Sequence, residues 1–181
     1  MTELTIELSS ADETQALGEA IAEQLAAGDL VMLNGELGAG KTTLTQGIGR
    51  GLGVVGTVAS PTFIVARVHP AGERGISLIH ADAYRITSLD DLETLDLDTA
   101  LTDSVVVVEW GEGLVEDLSD NRLEVQIERA VGGDATEDVD GAVDLTGLDQ
   151  GSRTVTLRGV GDHMEALVAH LAQRWGSEQK G

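Results

Sequence analysis

Apolar and polar positions change period several times along this chain, and each change predicts an element. Residues 5–8 alternate as a short strand would, and Ser10-x-x-Glu13 then has the spacing of a capping box. Leu17, Ile21 and Leu25 recur every four residues, the face of one helix, with Gly28 as its stop. Four apolar residues at 30–33 read as a buried strand. From Lys41 a second helix carries Leu44, Ile48 and Leu52 inward until the glycines at 51, 53 and 56 end it. Residues 63–68 and 76–79, on either side of His69-Pro70-Ala71-Gly72, predict a hairpin over 63–80. Ser88-x-x-Asp91 is placed to cap a short helix holding Leu89, Leu92 and Leu95. The four valines at 105–108 suit a strand buried on both faces of a parallel sheet. Residues 122–127 and 154–157 alternate like two antiparallel strands. The final apolar stripe, Met164, Leu167, Val168 and Leu171, predicts a helix from Asp162 to near Gly176.

Composition narrows this picture. The chain has 181 residues, 41% of them hydrophobic and 2% aromatic, which suits one domain with an aliphatic core. Within that single domain, residues 132–151 are acidic, Gly-rich and poor in large apolar side chains, and they are expected to form a mobile hairpin insertion. The chain has no apolar run of about 18 residues. The segment MTELTIELSS has no basic stretch leading into an apolar one, so a soluble protein of the cytoplasm, with no membrane partner, is expected. Without cysteine there is neither a disulfide nor a thiolate metal site. The formal net charge is −21, with lysine only at Lys41 and Lys180. Such a surface repels phosphate backbones and argues against direct binding of nucleic acid.

One of those two lysines lies in the stretch that carries the chemistry. Gly35-x-x-x-x-Gly40-Lys41-Thr42 fits the Walker A pattern and sits between an apolar run and a helical one. Glu36, Leu37, Gly38, Ala39, Gly40, Lys41, Thr42 and Thr43 are therefore the candidate nucleotide contacts. Glycines let backbone N–H groups turn around phosphate oxygens, and the helix N-terminus adds about half a positive charge. Lys41 would reach the β and γ phosphates, and Thr42 offers a hydroxyl to magnesium.

Further along, Ser60-Pro61-Thr62-Phe63 is either a rigid turn or a loop that presents Thr62 to the γ-phosphate side. His80-x-Asp82-x-Tyr84-Arg85 puts polar side chains at a strand end, where α/β enzymes place chemistry. His80, Tyr84 and Arg85 each have an ordinary structural explanation. Beside a phosphate loop, Asp82 is a candidate magnesium-shell or water-orienting group. Glu109, directly after the valine strand, has the Walker B position and is the candidate magnesium carboxylate; a salt bridge at a strand end is its plainer role. Trp110 follows it as an amphipathic residue at the rim and joins the candidate nucleotide contacts.

Taken together, GELGAGKTT at 35–43, SPTF at 60–63, HADAYR at 80–85 and Glu109-Trp110 resemble the bacterial TsaE family, small ATPases of tRNA threonylcarbamoyladenosine synthesis. The match runs from about Thr14 to Gly111, and the ordered set is more specific than a P-loop alone. The resemblance implies an α/β, P-loop NTPase-like fold, with a mostly parallel central sheet, flanking helices and antiparallel additions. It also implies ATP hydrolysis that supports TsaD and TsaB, so that tRNA is met only through those partners. Thr42 and Glu109 would hold magnesium, Lys41 the phosphates, Asp82 would serve hydrolysis, and residues 60–63 would sense the nucleotide. Gly111 stands where the family often has proline, and Ala81 and Ala83 replace larger apolar residues. Two other readings share the P-loop: a small-molecule kinase, which would want an arginine-rich lid that is not visible here, and a nucleotide-gated binding switch.

Overall fold

The computed structural model describes residues 1–36, 38–58, 66–83, 102–110, 113, 116, 119–129 and 152–176. The described elements run β1 (Thr2–Leu8), α1 (Ala11–Gln24), β2 (Leu30–Gly35), α2 (Lys41–Leu52), β3 (Ala66–His69), β4 (Ser77–Asp82), β5 (Ser104–Glu109), β6 (Arg122–Arg129), β7 (Arg153–Val160) and α3 (Asp162–Trp175). The strands form one sheet in the order β1-β7-β6-β2-β5-β4-β3. Its four central strands, β6, β2, β5 and β4, are parallel, while β7, β1 and β3 join through antiparallel pairings. This is the α/β plan expected from the sequence. Leu37, Ser60, Pro61, Thr62, Phe63, Tyr84, Arg85, Gly111, the helix expected near 88–95 and the insertion expected at 132–151 lie outside the described residues.

Side-chain parity explains which strands sit where. Val31 and Leu33, Val105 and Val107, Leu123, Val125 and Ile127, and Val155 and Leu157 line one face and share a buried core with the helices. On the other face β2 and β5 are still apolar, with Leu30, Met32, Val106 and Val108 all buried, as parallel central strands require. Toward the β1 edge that face turns polar. Arg158 pairs there with Glu3 across β1 and with Glu124 across β6, at 3.1 and 3.6 Å. Such exposed ion pairs contribute little stability, and their main effect is to keep this half of the face wetted.

The helices begin and end where local chemistry says they should, with small corrections. Ser10 caps α1 by accepting the Glu13 N–H at 3.2 Å, whereas the reciprocal bond of the capping box goes one residue earlier: Ser9 N–H donates to Glu13 Oε2 at 2.7 Å. The helix stops at Gln24 rather than running to Gly28, and Leu25, its C-cap, is still buried. Thr14 is buried in the first turns of this helix, its hydroxyl donating to Ser10 O at 3.2 Å. Arg74, in the connection between β3 and β4, donates to Ala22 O and Gly51 O at 2.9 Å and to Leu25 O at 3.2 Å. One guanidinium thus satisfies carbonyls at the ends of both α1 and α2.

Those two helices approach so closely that only glycine fits between them. A Cβ added at Gly47 would lie 2.2 Å from Gln15 O, and one at Gly18 would lie 2.4 Å from Leu44 O. Backbone therefore meets backbone, and α2, which starts at the Walker lysine, is braced along α1. Among the described residues no helix is long and apolar enough to cross a membrane.

Candidate phosphate-binding site

The Walker segment folds as strand, loop and helix because its residues leave little else. β2 is buried along residues 30–33, Gly35 ends it, and α2 starts at Lys41. Gly38 and Gly40 have φ of +76° and +110°, values that a side chain would strain. Gly40 is the N-cap of α2 and supplies no side-chain cap, so the first amides of the helix have no side-chain acceptor from that residue. An uncapped helix N-terminus behind a glycine loop can bind an anion.

Lys41 folds back along the loop. Its Nζ donates to Gly35 O at 2.8 Å and Glu36 O at 3.0 Å, and it lies 4.5 Å from the centre of the Trp110 ring. Burial lowers its pKa from the ordinary lysine value, opposed by the nearby negative charges of Glu109 and Asp82. Trp110 reaches this position through a left-handed backbone, φ +60°, the only positive φ among the described non-glycine residues. Its N–H donates to Leu33 O at 2.9 Å, which keeps the end of β5 against β2. A backbone outlier of this kind carries a cost of about 1–3 kcal/mol and persists where surrounding contacts hold it.

Strand order brings the acids to the lysine. Glu109 is in register with Leu33 on one side and with Asp82 on the other, so the three lie in a row across β2, β5 and β4. Both carboxylates occupy the last position of their strands instead of the position just beyond, a small correction to the expected boundaries. Parity turns them to the same face as Val105, Val107 and Leu78, the face that α2 covers. Glu109 is buried and Asp82 half-buried. Thr42 and Thr43, in the first turn of α2, are half-buried, as is Gly40, whereas Ala39 is buried and Glu36 and Gly38 are exposed. The structure therefore gathers Lys41, Asp82, Glu109 and Trp110 around the described part of the loop. Leu37 and Thr62 are the candidate contacts that fall outside it.

Three neighbours were not among the candidate site residues, and only His80, through the motif at 80–85, carried a signal in the sequence. His80 is fully buried, lies 3.6 Å from Glu109 Oε1 through Nε2, and has no hydrogen-bond partner among the described residues on either ring nitrogen. Arg153 donates from Nε to Ala39 O at 2.8 Å. Arg129 is in register with Arg153, and its Nη1 is 3.9 Å from where a Cβ on Gly38 would lie. Lone arginines 24 positions apart become neighbours only once β6 and β7 pair. Their charge adds to that of Lys41, so a chain of net charge −21 turns a cationic edge to its glycine loop.

Among the described residues no group of three or more His, Asp and Glu side chains could hold a metal ion by itself. The oxygen donors at hand are Thr42, Glu109 and Asp82, hard ligands in a number that suits a cation completing its shell with phosphate oxygens and water.

Comparison with known proteins points to a family. A family model described as "Threonylcarbamoyl adenosine biosynthesis protein TsaE" matches residues 8–136. The tRNA threonylcarbamoyladenosine biosynthesis protein TsaE of Streptomyces coelicolor is 62% identical over 122 residues, 67% of this chain and 82% of that one. The Bacillus subtilis protein of the same name is 34% identical over 163 residues, covering 90% and 89% of the two chains. The crystal structure of Bacillus subtilis YdiB superposes with a TM-score of 0.70 at 29% identity, over 96% of each chain. With the matched region enclosing the glycine loop, Asp82, Glu109 and Trp110 on a P-loop NTPase-like fold, this chain belongs to the TsaE family.

Proposed function

We propose that this chain is a magnesium-dependent ATPase in tRNA threonylcarbamoyladenosine synthesis, and that its hydrolysis resets a complex of TsaD and TsaB. The observation that carries the chemical part is the row Leu33, Glu109 and Asp82 across three adjacent strands, with Lys41 close to both acids. Glycine amides and the α2 N-terminus bind the phosphates, and Lys41 exchanges its two loop carbonyls for phosphate oxygens. Thr42 and Glu109 would hold the metal. Asp82, one strand further out, orients the attacking water. Magnesium, when bound, would supply charge neutralisation for the phosphates. Trp110 closes the rim beside Lys41. The protein contributes position and charge, which suffice for phosphoryl transfer to water.

Two variants separate the metal role from the hydrolytic one. Thr42→Ala and Glu109→Ala are expected to raise the magnesium concentration needed for half-maximal activity by about tenfold, near the lower end for altered metal shells. Asp82→Asn is expected to lower turnover with little change in nucleotide affinity. Magnesium titration of each variant reads both effects. If Glu109→Ala leaves the titration unmoved and Asp82→Asn shifts it, the two roles are reversed.

The pathway part rests on family membership and charge. Affinity for nucleic acid comes chiefly from Lys and Arg contacts with phosphates, and this chain has 11 such residues against 32 acids. ATP bound at the loop favours docking of TsaD and TsaB on the nucleotide side, through residues 60–63 and the Trp110 region, and hydrolysis releases them. Purified partners with ATP, a non-hydrolysable analogue or no nucleotide give the test. Expected are association with ATP or the analogue, repeated modification of tRNA with ATP alone, and negligible tRNA binding by the isolated chain at physiological salt. Multiple turnovers with the analogue, or tight tRNA binding by this chain alone, would contradict the mechanism.

A further inference from the structure

We propose that Arg153, on β7 and beyond the span matched by the family model, is a positioning residue that sets the orientation of the Ala39–Gly40 peptide in the phosphate loop. The inference rests on the nucleotide-binding reading above. Its basis is a single plane of atoms. Arg153 Nε donates to Ala39 O at 2.8 Å, and both side chains are buried, Arg153 at 6% exposure and Ala39 at 0%. In a trans peptide the carbonyl oxygen of one residue and the N–H of the next point in opposite directions. Holding Ala39 O toward β7 therefore directs Gly40 N–H away from β7, and Gly40 N–H is one of the amides that the Walker pattern offers to phosphate.

Glycine cannot fix that plane by itself. Gly40 has φ +110°, and with Gly38 at +76° the loop on either side of Ala39 has the torsional freedom to turn the peptide over. A guanidinium answers this need better than a neutral donor. It stays charged at every working pH, and a charge-assisted bond to a carbonyl is shorter and stronger than an amide one. The anchor is also stiff: Arg153 begins a strand paired on both sides, to Leu8 in β1 and to Arg129 in β6. The guanidinium packs against the loop as well, since a Cβ on Gly40 would lie 3.9 Å from its Nε.

A role limited to tying β7 in place would change stability and leave phosphate affinity alone. The test uses the full chain with Arg153→Met and Arg153→Lys, reading the Kd for ATP with magnesium, kcat and KM for hydrolysis, and the melting temperature. Arg153→Met is expected to raise Kd and KM together by roughly ten- to a hundredfold, the loss of a bond to a charged donor, with a much smaller change in kcat. Arg153→Lys keeps the charge and one donor toward Ala39 O, so it recovers part of the affinity. Should Arg153→Met melt below the assay temperature, Arg153→Lys decides: a Kd raised by about threefold or more supports the role, and any smaller change overturns it. With Arg153→Met folded, a Kd within about threefold of wild type also overturns it. Wild-type chain that binds no ATP overturns the nucleotide reading, and this inference with it.

Discussion

Replacing Lys41 by alanine is expected to lower ATP hydrolysis by about a hundredfold or more, the scale on which loss of one preorganised charge at a transferring phosphoryl group is felt. The ammonium lies at the meeting point of everything the site contains. It bridges the Gly35 and Glu36 carbonyls, faces the Trp110 ring and is drawn toward Glu109 and Asp82. Removing it leaves two carboxylates beside the phosphates with no cation from the α2 N-terminal turn to offset them. Electrostatic repulsion then opposes both binding and the transition state. Phosphate release, nucleotide affinity and melting temperature should be measured together on the same preparation. Of the freed carbonyls, Glu36 O belongs to an exposed residue and Gly35 O to a buried one, so the fold is expected to survive with a lower melting temperature. Hydrolysis at the wild-type rate would remove the phosphate-loop assignment.

Gly47→Ala is expected to lower the melting temperature by roughly 10 °C, from a destabilisation of about 3 kcal/mol. On an isolated helix the same change would stabilise, because alanine is a better helix former than glycine by about 1 kcal/mol. Contact reverses the sign. The new Cβ would lie 2.2 Å from Gln15 O and 2.9 Å from Gln15 C, backbone atoms that cannot rotate out of the way. α2 must then move off α1, and because α2 begins at Lys41 the displacement reaches the phosphate loop. Thermal melting and nucleotide affinity both report it. An unchanged melting temperature would mean that the helices are not packed at this distance.

Much of this molecule was legible from spacing alone. The Walker pattern fixed β2, the loop and α2 together, since glycine conformation, apolar burial and helix periodicity all point the same way there. Ser10-x-x-Glu13 located the start of α1, and the valine run located β5, because caps and buried strands are decided by residues close in the chain. Glu109 and Asp82 could be named as candidates for the same reason, as acids near the ends of apolar runs.

Their convergence could not be read so directly. That Glu109 neighbours both Leu33 and Asp82 depends on β5 lying between β2 and β4, and no local period encodes which strand pairs with which. Arg153 is one basic residue at a strand end until β7 returns beside β6 and turns it against Ala39, 114 residues earlier. Thr14, in the first turns of α1, is buried because the glycine loop comes up against it, its Cγ2 lying 4.0 Å from where a Cβ on Gly40 would be. Gly47 reads as a weak point in a helix, whereas in the fold it is the condition for two backbones to touch. The sequence by itself determined the elements, the phosphate loop and the kinds of side chain available, since these follow from torsional preference and burial over a few neighbouring residues. Tertiary structure alone decided which distant groups share a site, since strand order, register and backbone contact are set by packing the whole chain at once.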